Sequence, residues 1–139
     1  SKRTGPDLAR IGGRYSDDWH IQHFRDPKSV VPESIMPRYS FLFDRPVAPG
    51  MIADDLATQR IVRVPYTEAM VENAEADLRA QAGQGDTAGL LERYGDRVNA
   101  RDFDGNPNAV TEMDALIAYM QMLGTLVDFT SYEPVESGR

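Results

Sequence analysis

The chain has 139 residues, 41% hydrophobic and 27% charged, with a formal net charge of −7 and no cysteine. That length and composition fit one ordinary globular domain on a prior of roughly 150 residues per domain. The absent cysteines exclude disulfides, thiolate metal sites and a cysteine nucleophile. The acidic balance disfavours nucleic acid, which needs a basic patch against its phosphates.

Residues 1–15 read as loop, because Gly5-Pro6 and Gly12-Gly13 interrupt any helix. Ser16 is a good N-cap, and Asp17 and Asp18 follow where the helix dipole favours negative charge. A helix is therefore predicted from there to about Arg25, stopping before Pro27. Residues 27–50 hold Pro27, Pro32, Pro37, Pro46 and Pro49 and predict a long, stiff, extended loop. Val30, Val31, Ile35, Met36, Phe41, Leu42 and Phe43 make it apolar enough to pack, and long ordered loops are usually functional. A short helix is predicted over 51–62. After Pro65-Tyr66-Thr67, one continuous helix is predicted over 68–82, with Met70, Ala74 and Leu78 on one face and Gly83 and Gly85 ending it. Residues 86–94 predict a further short helix, and 95–109 a turn-rich stretch.

The last helix carries the clearest local signal. Thr111 with Asp114 makes a capping-box-like start, with Glu112 in the first turn. Met113, Leu116, Ile117, Met120 and Leu123 then keep the helical period until Gly124. Residues 130–139 read as a fraying tail. There is no internal repeat and no clear strand, so the fold class is all-α. No apolar run reaches the ~18–20 residues needed to cross a bilayer. The longest, 115–127, contains Gln121. Charge is uneven: ten Lys/Arg against eight Asp/Glu over 1–63, and five against fourteen over 64–139. Such asymmetry suits a polar face for a partner, although a solvated acidic surface is the commoner case.

Several residues carry candidate chemistry. Met36 lies in the run Val30-Val31-Pro32-Glu33-Ser34-Ile35-Met36-Pro37. A thioether is a soft ligand that suits haem iron and raises its reduction potential, and proline at 32 and 37 stiffens the backbone around it. Taken alone, a methionine in such a loop is more often gap-filling core. His20 and His23, at i, i+3 on the predicted helix, are spaced for one metal. No HExxH pattern or third acidic ligand supports that, so a surface or capping role is expected for them. Asp102-x-Asp104-Gly105-Asn106 shares the opening of a calcium loop, but an EF-hand needs glycine sixth and glutamate twelfth. Here glycine is fourth and the twelfth residue is Met113, so an Asx/Gly turn is the better reading. No Ser-His-Asp order, phosphate loop or carboxylate pair stands out, and no catalytic residue is assigned.

The order Thr4-Gly5-Pro6-Asp7-Leu8, Gly12-Gly13-Arg14-Tyr15, Met36-Pro37 and the helix Met113-Asp114-Ala115-Leu116-Ile117-Ala118-Tyr119-Met120-Gln121 resembles the class I cytochrome c pattern. More specifically, residues 2–10, 12–20, Val31-Pro32-Glu33-Ser34, Val64-Pro65-Tyr66-Thr67 and Leu123-Gly124-Thr125 resemble the mono-haem subunit II of cbb-type, C-family haem–copper cytochrome c oxidases. The likeness covers most of the chain. It implies a class I-like domain with residues 1–50 as the Met-ligand loop region, 51–109 as an extra helical insertion, 110–127 as the C-terminal helix and 128–139 as a tail.

The resemblance also implies roles. Met36 is the distal axial ligand of a covalent haem c. Pro6 offers the carbonyl that accepts the proximal histidine's N–H, and Gly5 allows close backbone approach. Arg14 matches a position near a haem propionate; a solvated surface arginine is the alternative. Tyr15 and Trp19 line the haem edge or anchor the first helix in the core. The family's Cys-x-x-Cys-His motif is missing, so the chain is expected to be a fragment that begins after the haem-attachment helix and binds no haem alone. The parent is expected to be an electron-transfer subunit at the periplasmic side of the bacterial inner membrane. It would be anchored upstream of Ser1 and partnered by the other oxidase subunits. The alternatives are a haem-free helical interaction module and, least favoured, a histidine-based metalloenzyme. Without its first helix, the fragment is expected to leave Leu116, Met120 and Leu123 unpartnered and to self-associate through them, or to cover them with a rearranged segment.

Overall fold

The computed structural model describes residues 4–126; the tail expected over 130–139 lies outside them. Among the described residues there are seven α-helices and one 3₁₀ turn. The only pairing of β type there is an isolated antiparallel bridge between Pro46 and Thr111. The all-α class is therefore observed.

Helix α1 spans Asp17–Arg25, and the Ser16 hydroxyl accepts the Trp19 N–H at 3.1 Å as the cap. The next segment is not extended throughout, as the prolines led one to expect. Pro27 opens a short helix, α2 (Pro27–Val30), and Ser40–Asp44 form the 3₁₀ turn. Proline suits a first helical position, since the N–H it lacks would be unpaired there anyway. Pro49 opens α3 (Pro49–Ile61) in the same way, two residues before the predicted start.

The helix predicted over 68–82 is two helices, α4 (Glu68–Glu72) and α5 (Ala74–Gln81). The break is at Asn73. Its side-chain amide donates to the Ala69 carbonyl at 2.8 Å, the carbonyl its own backbone N–H also uses. Asparagine competes in this way with the helix ladder. Helices α6 (Ala88–Tyr94) and α7 (Glu112–Met122) lie close to their predicted spans.

The end of α3 is a Schellman motif. The Arg63 N–H bonds the Arg60 carbonyl at 2.9 Å and the Val64 N–H bonds the Gln59 carbonyl at 3.0 Å. Arg63 holds φ at 69°, a left-handed conformation that glycine adopts without strain. Arg63→Gly is therefore expected to raise stability by about 1 kcal/mol in urea titration. No change, or a loss, would show that the arginine side chain contributes what its backbone costs.

The core gathers Ile11, Phe24, Phe103, Met113, Ile117 and Met120 from the N-terminal loop, α1, the 95–109 loop and α7. The α7 face expected to stand unpartnered is covered. Met120 is buried, and Leu116 and Leu123 pack half-buried against this core. Ile11 and Phe103, both from segments read as loop, belong to the same cluster. Helices α3 to α6 form a second group around Ala74, Ala80, Ala82 and Leu90. A bidentate pair between buried Asp77 and Arg93 joins α5 to α6.

Gln121 ties α7 to the N-terminal loop. Its Oε1 accepts the Gly13 N–H at 2.9 Å, and its Nε2 donates to the Tyr15 carbonyl and to Asp17 Oδ1, both at 2.8 Å. Beside it, the Gly12 N–H donates to the Leu123 carbonyl at 2.9 Å.

Candidate functional site

Met36 sits in a loop fastened at both ends. The Val31 N–H bonds the Pro27 carbonyl at 2.9 Å, and the Tyr39 N–H bonds the Phe24 carbonyl at 2.8 Å. Between these points Ser34 Oγ accepts the Met36 N–H at 3.2 Å. Arg38 makes a two-pronged pair with Asp26, at 3.2 and 3.0 Å, which draws the loop back onto the start of α2. The Met36 side chain is half-buried and packs against the core, as do Tyr15, Tyr39, Leu42 and Phe43. Its other side borders a groove of about 390 Å³, lined also by Lys28, Ile35, Pro37 and Arg38. Asp26 lines the groove as well, so Arg38 stands there already paired and Lys28 is the cation without a carboxylate partner among the described residues.

Gly5, Pro6 and Arg14 do not line this groove. All three are exposed. A Cβ built at Gly5 would meet no atom within 4 Å, so the backbone there is open to approach. The Arg14 guanidinium lies 6.0 Å from the Tyr15 ring centroid. Tyr15 stacks on Trp19 at 4.0 Å and packs on the core, which anchors the start of α1. Lys28 and Arg38 were not singled out in the sequence. Their approach to Met36 follows from α2, which the prolines made to look like extended chain.

His20 is a second departure. A surface or capping role was expected, yet the ring is 1% exposed, and neither nitrogen has a hydrogen-bond partner. It stacks on Phe24 at 6.0 Å and meets Trp19 and Tyr15 edge-on. Burial pushes its pKa below the ordinary histidine value, and the charge of Asp17 only partly opposes this. The ring is therefore neutral near pH 7. His23 is half-buried and stacks on Trp19 at 4.6 Å. Among the described residues the two histidines do not join a metal-ligating cluster.

The Asp102–Asn106 segment forms the turns expected of it. Asp102 accepts the Gly105 N–H, Asp104 the Asn106 N–H, and Gly105 takes φ of 82°. The fold adds what the spacing did not show. Asp114 reaches into this loop, so three carboxylates lie within 4.8 Å of one another. Asp114 accepts the N–H groups of Phe103, Asp104 and Thr111, and the Thr111 hydroxyl donates to Asp104 at 2.6 Å. These bonds make the cluster a cap on α7 that also holds the loop.

A family model described as "Cytochrome C oxidase, mono-heme subunit/FixO" matches residues 1–127. No curated protein matches the chain.

Proposed function

The chain belongs to the mono-haem subunit (FixO) family of cytochrome c oxidases, and from that membership we propose that it relays electrons through a haem c to the oxygen-reducing catalytic subunit of a cbb-type oxidase. The family belongs to an electron-transport complex of the membrane, while no helix among the described residues is long and apolar enough to cross one. In this reading the domain is class I cytochrome c-like and faces the periplasm. An anchor in the parent ties it to the bacterial inner membrane, and its partners are the other oxidase subunits. Residues 51–109 are an insertion between the Met loop and the last helix that packs against those subunits.

The observation that carries the reading is the Met36 loop. A haem-iron ligand must be held by backbone that cannot drift, and two carbonyl anchors, Ser34 and the Arg38–Asp26 pair provide that. The groove that Met36 borders is partly apolar, and Lys28 at its edge suits a carboxylate, while Arg38 there is paired with Asp26. His20 is consistent with a polar group reaching the core, because two buried ring nitrogens want partners.

A bound haem would supply a one-electron iron couple. The residues of this chain position it and set its surroundings. Met36 would offer its sulfur to the iron, which favours the reduced metal. Pro6 would offer its carbonyl to the family's histidine ligand, Gly5 would leave room for that approach, and Arg14 would pair with a haem carboxylate. With no cysteine in the chain, covalent attachment is not supplied by these 139 residues.

Replacing Met36 by histidine in the haem-loaded parent tests the assignment. Its reduction potential is expected to fall by on the order of 0.1 V or more, since axial ligands tune haem over a range of ≈ 0.8 V. The visible spectrum should change with it. An unchanged potential and spectrum would mean that Met36 only fills space.

A further inference from the structure

The C-terminal end of α3 combines exposed apolar side chains with cations that have no carboxylate partner among the described residues. Ile61 and Val62 are 81% and 68% exposed, and Pro65 beyond them is exposed too. Arg60 and Arg63 bracket the apolar pair. Both are exposed, and neither guanidinium has an ion pair or hydrogen bond among the described residues. Most other arginines are engaged. Arg38, Arg45, Arg79, Arg93 and Arg101 pair with carboxylates, and Arg25 lies over the Phe43 ring.

The local charge runs against that of the whole molecule. From Leu56 to Thr67 there are two arginines and no carboxylate, in a chain of net charge −7. The nearest acids on α3 are Asp54 and Asp55. Asp55 lies more than a helical turn before Arg60, roughly 7 Å along the axis at 1.5 Å per residue. The two hydrogen bonds of the Schellman turn hold this end in one shape. The exposed aliphatic pair is thus presented on ordered backbone.

We infer that residues 60–65 dock on an anionic phospholipid surface. Ile61 and Val62 enter the boundary between headgroups and acyl chains, while Arg60 and Arg63 meet lipid phosphates. A stable protein interface buries about 800 Å² on each partner around an apolar centre. Two aliphatic side chains at a helix tip are too few for that, so this tip lies outside the part of the 51–109 insertion that meets the other subunits, but they are what a shallow lipid contact needs. The net charge makes the contact selective, because the acidic bulk is repelled by the same surface and the molecule must approach with this end leading. The inference needs no haem and does not depend on the assignment of Met36.

Sedimentation of the 139-residue chain with lipid vesicles tests it. One set is phosphatidylcholine alone and the other also contains phosphatidylglycerol, both at low ionic strength. Binding is expected to the anionic vesicles and to be much weaker to the neutral ones. Arg60→Gln with Arg63→Gln should weaken the partition about thirtyfold, at roughly 1 kcal/mol per arginine near the surface. Ile61→Ser with Val62→Ser should abolish it. All four side chains are exposed, so these variants should keep the wild-type circular dichroism and melt. Arg63→Gly, which relieves the backbone strain, should weaken binding only about fivefold and guards against a misfolded variant. Failure to sediment with anionic vesicles overturns the inference. So does binding that survives both double variants, or a dimer that depends on Ile61 and Val62 in place of vesicle binding.

Discussion

Replacing Gly12 by alanine is expected to lower the stability of this chain by about 3 kcal/mol, the upper part of the usual range for overpacking. A Cβ at Gly12 would stand 2.4 Å from the Gln121 carbonyl oxygen and 2.6 Å from that of Leu123. Both are backbone atoms at the end of α7, so no side chain can swing aside. Moving the loop away would also stretch the Gly12 N–H bond to Leu123 and the Gly13 N–H bond to Gln121. The approach is mutual. A Cβ at Gly124 would meet the Ala9 carbonyl at 2.7 Å, and Gly124 itself holds φ at 80°. The N-terminal loop and the end of α7 therefore meet backbone to backbone, and glycine on each side permits it. Gly50→Ala is the control. It lies in the first turn of α3 with open space around its Cβ position, and should gain about 0.5–1 kcal/mol. Urea unfolding of both variants checks the pair. A loss below about 1 kcal/mol for Gly12→Ala would mean that the loop can move away cheaply.

Asp114→Ala is expected to cost a similar amount, about 3 kcal/mol. One carboxylate serves three buried N–H groups, those of Phe103, Asp104 and Thr111. Loss of a helix cap costs ~1 kcal/mol, and each buried donor left unpaired adds about 1–3 kcal/mol before local relaxation. Relief of the repulsion from Asp104 offsets part of this. The same residue gives a pH signature. Burial is the largest influence on Asp114 and raises its pKa, the Asp104 charge adds to the rise, and the three backbone donors oppose it. Its net shift is upward from 3.8. Between the unfolded and folded values the native state therefore holds more protons than the unfolded state, so this group's contribution to stability falls as pH rises through that window. Asp114→Asn removes that slope.

Asp17 acts in the opposite sense. Burial alone would raise its pKa, but the hydrogen bonds from Arg101 and Gln121 and the Arg101 charge outweigh it and hold the group below 3.8. Its contribution is present above the unfolded value and is lost as pH falls through the folded one. Unfolding free energies of wild type and Asp114→Asn measured from pH 3 to 7 separate the two. The wild type should lose ground relative to Asp114→Asn as the buried carboxyl ionises. A difference that does not vary with pH would rule out the raised pKa.

Much of the local structure was legible in the chain. Ser16 before Asp17 and Asp18 marked the start of α1. Thr111 and Asp114 marked the capping box of α7. The period of Met113, Ile117 and Met120 marked the face that the core receives. Each of these signals arises within one helical turn, where the groups that bond are three or four residues apart. The proline frame of Met36 and the strings around it also pointed to the family that the comparison shows. Misreadings came where local rules leave two outcomes open. Proline at 27 and 49 suits both an extended chain and a first helical turn, and Asn73 sits in a helical pattern while competing with its hydrogen bonds.

Signals within the chain are thus enough for the helical class, the caps, the likeness to an oxidase subunit and the methionine with its stiff surroundings. Which side chains converge depends on how the elements pack. His20 is buried because Tyr15, Trp19 and Phe24 close around it. Asp114 meets Asp104 because the 95–109 loop folds over the start of α7. Gly12 must be glycine because a carbonyl more than 100 residues away passes through the space its side chain would fill. The physical reason is common to all three. Propensity and capping act between neighbours, whereas burial and exclusion depend on elements brought together from distant parts of the chain.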